Sequence, residues 1–186
     1  MFLIVSLGML ILAAGDVGNV ASAQPMSAEP IYAALKGAWV GSLEYRDYSN
    51  NSRVVLPTIL DIRRPAGSAG LALHYIYDDG PTKVVQDAET VTVNPAAATY
   101  TVVSADGKET DSDSLVGIGP FLKAGAGELV RFGKGKENGK SVDVRTTLTV
   151  LPNSLIILKE TRPLGGVYQF RDQYDLTRVK PASIGK

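Results

Sequence analysis

What most constrains this chain is its rhythm of short alternating runs cut by tight-turn residues. Runs at 39–46, 53–62, 71–77, 83–93, 99–104, 109–118, 128–133, 142–151, 155–161 and 167–178 are rich in β-branched and aromatic residues or alternate apolar with polar. Between them stand Asp78-Asp79-Gly80-Pro81, Asn94-Pro95, Asp106-Gly107, Asn138-Gly139, Pro152-Asn153 and Pro163-Leu164-Gly165-Gly166. Period-two alternation marks a half-buried strand, and Asn-Gly or Asp-Gly marks a two-residue hairpin turn. In the first run Trp39, Gly41, Leu43 and Tyr45 share one face, with Val40, Ser42, Glu44 and Arg46 on the other. No long helical pattern intervenes, which argues against a doubly wound α/β fold.

A meander of this many strands leaves two exposed edges unless the sheet closes on itself. The expected fold is therefore all-β: an antiparallel up-and-down β-barrel of about 8–10 strands. Pro57 hints at an edge or a bulge in the second strand. One short helix precedes the barrel, over residues 27–36, with Ser27 as N-cap, Pro30 in the first turn and Gly37 as the stop. The Gly-rich stretch 133–140 reads as a solvated hairpin loop. The stretch 117–127 reads as an inter-strand loop without the following helix that a phosphate cradle requires. Its Ile118, Phe121 and Leu122 are expected to cap a barrel end.

The first residues have a different character. An uncharged apolar run over 2–14 is followed by Asp16 and then by Ala21-Ser22-Ala23-Gln24. An apolar core with an A-x-A site is the pattern of a secretory signal peptide, and the run is too short for a spanning helix. The organisation expected is a signal peptide at 1–23, a lead-in helix at 24–36, the barrel at 37–180 and a flexible tail at 181–186. Removal of 1–23 takes away one acid, Asp16, and no base, leaving nineteen bases against eighteen acids. A near-neutral chain with interspersed charges argues against a nucleic-acid partner and against a strongly cationic membrane-surface protein, and no stable membrane insertion is expected after cleavage. The chain has no cysteine, and the expected setting is periplasmic or secreted.

At the head of the first strand stands Gly37-Ala38-Trp39, and the last strand ends in Tyr174-Asp175-Leu176-Thr177-Arg178. A short helix leading to Gly-x-Trp resembles the opening of the calycin superfamily, the lipocalins and their fatty-acid-binding relatives. The resemblance implies a barrel whose closed end is plugged by Trp39, with a basic residue, Arg178 or else Arg171, stacked across the indole. It also implies a small apolar or amphipathic ligand held inside. Tyr45, Tyr75, Tyr77, Phe170 and Tyr174 lie on strands and are candidates to line such a cavity; the alternative is a barrel filled by its own side chains. Arg46, within the polar hairpin 45–53, is a candidate for a ligand head group.

No catalytic set declares itself. There is no G-x-S-x-G motif, and the single histidine, His74, alternates to the face opposite Tyr75 and Tyr77. His74 is a packed or surface residue, or else the axial ligand of a haem, which some ten-stranded relatives of this barrel class carry. The acidic stretch 106–114 reads as a solvated turn or a loose calcium loop. Two further classes remain beside ligand binding. One is an envelope-associated interaction protein with a filled barrel. The other is a hydrolase or isomerase using internal Asp and Tyr residues, which requires a buried, perturbed carboxylate among Asp47, Asp61, Glu160 and Asp172.

Overall fold

The computed structural model describes residues 26–47 and 49–180; the expected signal peptide and tail, and Tyr48, lie outside them. The elements run α1 (Glu29–Leu35), β1 (Gly37–Arg46), β2 (Arg53–Arg63), β3 (Leu71–Asp78), β4 (Val84–Asn94), β5 (Thr99–Ser104) and β6 (Thr110–Val116). They continue through α2 (Ile118–Ala124), β7 (Gly127–Glu137), β8 (Lys140–Leu151), β9 (Ser154–Pro163) and β10 (Gln169–Arg178). Every strand pairs antiparallel with its sequence neighbour, and β1 pairs with β10 to close a ten-stranded barrel. Closure leaves no terminal edge strand, which removes the aggregation hazard of an open meander. Pro57 fits within β2 because β3 pairs only from Thr58 onward, so the strand there has a ladder partner on one side.

The register explains which side chains meet. Residues directly opposite in an antiparallel pair project to the same face. The β1–β10 pairs Trp39↔Arg178, Leu43↔Tyr174 and Tyr45↔Asp172 thus run along one inner wall. The strands carry an apolar inner set, including Leu60, Leu71, Val91, Leu129, Val150, Leu155 and Leu176, packed near one end of the barrel. Ile31, Tyr32 and Leu35 of α1 cover that end, and the Tyr32 hydroxyl accepts the Val93 amide at 2.9 Å. Burying such side chains stabilises the fold by about 1.5–3 kcal/mol each.

Four expectations are corrected. The stretch 117–127 is not a loop: it holds α2, bracketed by left-handed Gly117 (φ 86°) and Gly125 (φ 68°). Burial of Ile118 and Phe121, one helical turn apart, secures this cap at the closed end. The stretch 133–140 is not a loop either. Strands β7 and β8 stay paired to Glu137↔Lys140, and the turn is Asn138-Gly139 alone, both with positive φ as a tight hairpin requires. Lys134 and Lys136 made the segment look solvated, yet they point outward from a continuous ladder. The N-cap of α1 is Ala28, while Ser27 Oγ accepts the Glu29 amide at 3.2 Å. The stretch 106–114 is not wholly a solvated turn, because Asp113 faces inward and is only 9% exposed.

Candidate functional site

The closed end is built around the sole tryptophan. Trp39 is fully buried, and its Nε1–H donates to Leu35 O at 2.9 Å, tying β1 to the last turn of α1. The Arg178 guanidinium lies 4.0 Å from the indole centroid. Its three nitrogens donate to Pro152 O (2.8 Å), Lys36 O (2.6 Å) and Ala34 O (2.5 Å). One side chain therefore stacks on the barrel plug and satisfies carbonyls from α1, its C-cap and the β8–β9 turn.

Beyond the plug is a cavity of about 180 Å³. Its apolar floor comprises Leu35, Ile62, Leu73, Leu148, Leu155 and Ile157. Its other walls carry Tyr75, Tyr77, Tyr100 and Tyr174 with Asp87, Glu89, Asp172, Arg131, Lys159 and Thr146. The interior is thus neither filled nor purely apolar. Tyr75 and Tyr77 stack with ring centroids 6.0 Å apart, and Tyr174 tilts against Tyr75 at 5.5 Å. Two hydroxyls, those of Tyr77 and Tyr174, share a 2.8 Å hydrogen bond, while the Tyr75 hydroxyl donates to Glu89 Oε1 at 3.1 Å.

Electrostatics inside the barrel follow from burial. Desolvation raises the carboxyl pKa of Glu89, Asp172 and Asp113. Hydrogen bonding from Tyr75 and the charges of Arg131 and Lys159 partly offset this at Glu89, and Lys159 leads the opposing charges at Asp172. Burial likewise pushes Tyr77 and Tyr100 up to about 12, and drives Tyr75 and Tyr174 up as well. The tyrosines therefore stay protonated donors at neutral pH. Arg131 lies over the Tyr100 ring at 4.4 Å, with Nε 3.4 Å from Asp113 Oδ2. Thr146 is 3% exposed, and its Oγ1 has no hydrogen-bond partner among the described residues.

The expected site residues divide. Tyr75, Tyr77 and Tyr174 come together in the cavity wall. Tyr45 stands opposite Asp172 on the same wall, nearer the open end and outside the cavity lining. Phe170 does not line the cavity. The β9–β10 register shifts between Phe170↔Glu160 and Asp172↔Lys159, so Arg171 is an extra residue and the inward alternation breaks there. Phe170 lies instead under Arg53, at 4.0 Å, on the side where Arg53 pairs with Glu44. Arg46 is also outside the cavity; with Asp47, Glu137, Phe170 and Arg171 it borders a second hollow of about 220 Å³ at the open end. Arg171, the second choice to stack on Trp39, is at this opposite end and donates to Arg46 O.

Of the four carboxylates singled out for catalysis, Asp172 alone is in the cavity. Asp61 pairs with Arg63 at 2.5 Å and Glu160 with Arg145 at 2.7 Å, both on the face opposite the cavity lining. Asp47 holds its own turn by accepting the Ser49 amide and hydroxyl, each at 2.7 Å, which lowers its pKa. His74 faces away from the cavity, its Nε2 3.1 Å from Gln86 Oε1. Asp106, Glu109, Asp111 and Asp113 do not form one loop site: Asp106 accepts from Ser104 and Lys108, whereas Asp113 turns to Arg131.

Sequence reasoning missed Asp87, Glu89, Tyr100, Arg131, Thr146 and Lys159. A usable signal existed on β4, where Val85, Asp87, Glu89, Val91 and Val93 share one parity. That parity could be assigned to the interior only through the pairs Tyr75↔Asp87 and Leu73↔Glu89. No protein-family model matches the chain, and no curated protein matches it in sequence.

Proposed function

We propose that this protein is an exported, calycin-like binder of a small amphipathic molecule, held without catalysis in the barrel interior. The observation that carries the reading is the cavity of about 180 Å³ with its apolar floor and polar, aromatic upper wall. A dry cavity of about 150 Å³ takes a benzene, so a ligand of about seven non-hydrogen atoms suits this one. The relation to calycins is supported by the helix before Gly37-Ala38-Trp39 and by Arg178 on the indole. Export is supported by the apolar run and A-x-A site in residues 1–23.

The test is organic extraction of natively purified protein followed by mass spectrometry. The expected result is one small amphipathic molecule at near-stoichiometric yield. Protein that yields none, and that no small amphiphile stabilises in a thermal-shift panel, would overturn the reading.

A second reading is favoured by one observation. Asp172 is half-buried beside Tyr174, and desolvation raises its carboxyl pKa, the direction that suits a carboxyl acting in proton transfer. It makes the barrel an isomerase or hydrolase. Turnover of an extracted ligand that Asp172→Asn abolishes without loss of binding would support it, and binding with no turnover would remove it.

A further inference from the structure

We propose that the interior site selects an organic cation: a substituted ammonium carried on a short apolar stem. The inference rests on the ligand-binding reading above and adds the sign of the charge that is recognised.

The first argument is charge balance. The cavity wall carries the carboxylates of Asp87, Glu89 and Asp172 and the cations Arg131 and Lys159. Arg131 lies over the Tyr100 ring at 4.4 Å with Nε 3.4 Å from Asp113 Oδ2, and its charge acts on Glu89 and Asp172 as well as on Asp113. The three inward carboxyls Glu89, Asp113 and Asp172 therefore share two cations, Arg131 and Lys159, while Asp87 adds a further negative charge at the exposed rim. An anionic head group placed there would meet an excess of like charge in a poorly solvated space. A cation would relieve that excess.

The second argument is aromatic geometry. Tyr75, Tyr77 and Tyr174 form one cluster, with centroids 5.5–6.4 Å apart, beside those carboxylates. Tyrosine faces attract substituted ammonium ions, and this attraction grows when water is excluded. The Tyr77–Tyr174 and Tyr75–Glu89 hydrogen bonds hold the rings in place, so their arrangement is set before a ligand arrives. The third argument is independent of charge. Thr146 Oγ1 lines the same cavity, buried and without a partner among the described residues, and a buried hydroxyl calls for one. It marks the cavity as a place completed by a polar occupant. The apolar floor opposite suits the stem.

The experiment uses three probes of equal chain length, hexylammonium, 1-hexanol and hexanoate, titrated calorimetrically into the ligand-stripped protein at pH 8. The expected order is cation first, with Kd at least tenfold below those of the alcohol and the acid. Asp172→Asn is expected to erase most of that preference while leaving hexanol binding within twofold. Glu89→Gln serves as a second variant should the first unfold. Hexanoate binding as tightly as the cation, or a preference that survives in both variants, overturns the cation inference alone. Failure of all three probes to bind, hexanol included, overturns the ligand-binding reading with it.

Discussion

Arg178 lies directly opposite Trp39 across the β1–β10 seam, so the strand register itself sets the guanidinium over the indole at 4.0 Å. The same guanidinium accounts for three carbonyls that would otherwise lack these donors: Ala34, Lys36 and Pro152. The seam that closes the barrel and the plug that closes its end are thus joined through one pair of side chains.

Replacing Arg178 by Ala removes a cation–π contact worth about 0.5–2 kcal/mol together with charge-assisted hydrogen bonds. Partial exposure of the side chain tempers the sum, and the expected loss is about 2–4 kcal/mol. Arg178→Lys should recover less than half, because an ammonium lacks the planar fork that reaches three carbonyls. Urea denaturation followed by Trp39 fluorescence reads both variants; a Lys variant as stable as wild type would contradict the geometry.

The hydroxyls of Tyr77 and Tyr174 meet inside the barrel at 2.8 Å. Either Tyr→Phe change leaves the partner hydroxyl buried without that bond, at a cost of about 1–2 kcal/mol. Changing both removes the pair and should cost less than the two single losses combined. A double-mutant cycle is expected to give a coupling of about 1 kcal/mol. Strict additivity would mean that the two hydroxyls do not interact.

Stability should depend on pH in two opposing ways. Burial raises the pKa of Asp172, Glu89 and Asp113, so the native state holds protons that the unfolded chain releases near about pH 4. Their contribution is fully present below that pH and is lost as pH rises through their folded values. Asp106 behaves oppositely, being held down to about 2 by hydrogen bonding from Lys108 and Ser104. Asp143, lowered by Lys134 and Arg162, acts in the same direction. Their contribution is present above about pH 4 and is lost as pH falls through their lowered values. Thermal melts should therefore show greatest stability in mildly acidic buffer, and Asp172→Asn should flatten the decline towards pH 8 and raise the melting temperature there. A profile unchanged by Asp172→Asn would sink the assignment of that carboxyl to a desolvated site.

Gly133 is where β7 makes room for Asp113. A Cβ at Gly133 would stand 1.9 Å from Asp113 Oδ1 and 2.7 Å from its Cγ. Gly133→Ala must push that carboxylate off its place beside Arg131, at an expected cost of about 1–3 kcal/mol. In an Asp113→Ser background the penalty should shrink by more than about 0.5 kcal/mol, since the clashing atoms are shortened. Equal penalties in the two backgrounds, measured by denaturation, would show that the strain lies elsewhere.

Much of the barrel is legible in one dimension because period-two alternation reports the inner face directly. In β1 the face holding Trp39, Leu43 and Tyr45 is the inner one, and in β3 the parity of Tyr75 and Tyr77 separates them from His74. The turns Asp106-Gly107 and Asn138-Gly139 announce themselves through residues that tolerate positive φ. Legibility fails where one of these local signals is missing. Residues 155–158 are apolar on both faces, so nothing nearby tells whether Lys159 points in or out. Phe170 was misplaced because a bulge leaves no composition signal yet reverses the alternation. The helix α2 was missed because its two glycines and Pro120 read as loop, whereas burial of Phe121 against the closed end decides its conformation.

By itself, then, the sequence determined an all-β chain of about ten strands with a short leading helix, a tryptophan at the barrel head and four tyrosines on strands, Tyr45, Tyr75, Tyr77 and Tyr174. Those properties follow from local backbone preference and from which faces must leave water. Only the tertiary structure decided the register that seals β10 to β1 and the choice of Arg178 over Arg171 as the residue on Trp39. It alone gathered Asp87, Glu89, Asp113 and Asp172 with Arg131 and Lys159 on the inner face of one barrel. Pairings between residues more than a hundred positions apart depend on strand register, which no short stretch encodes, and the charge of the cavity exists only once that register is set.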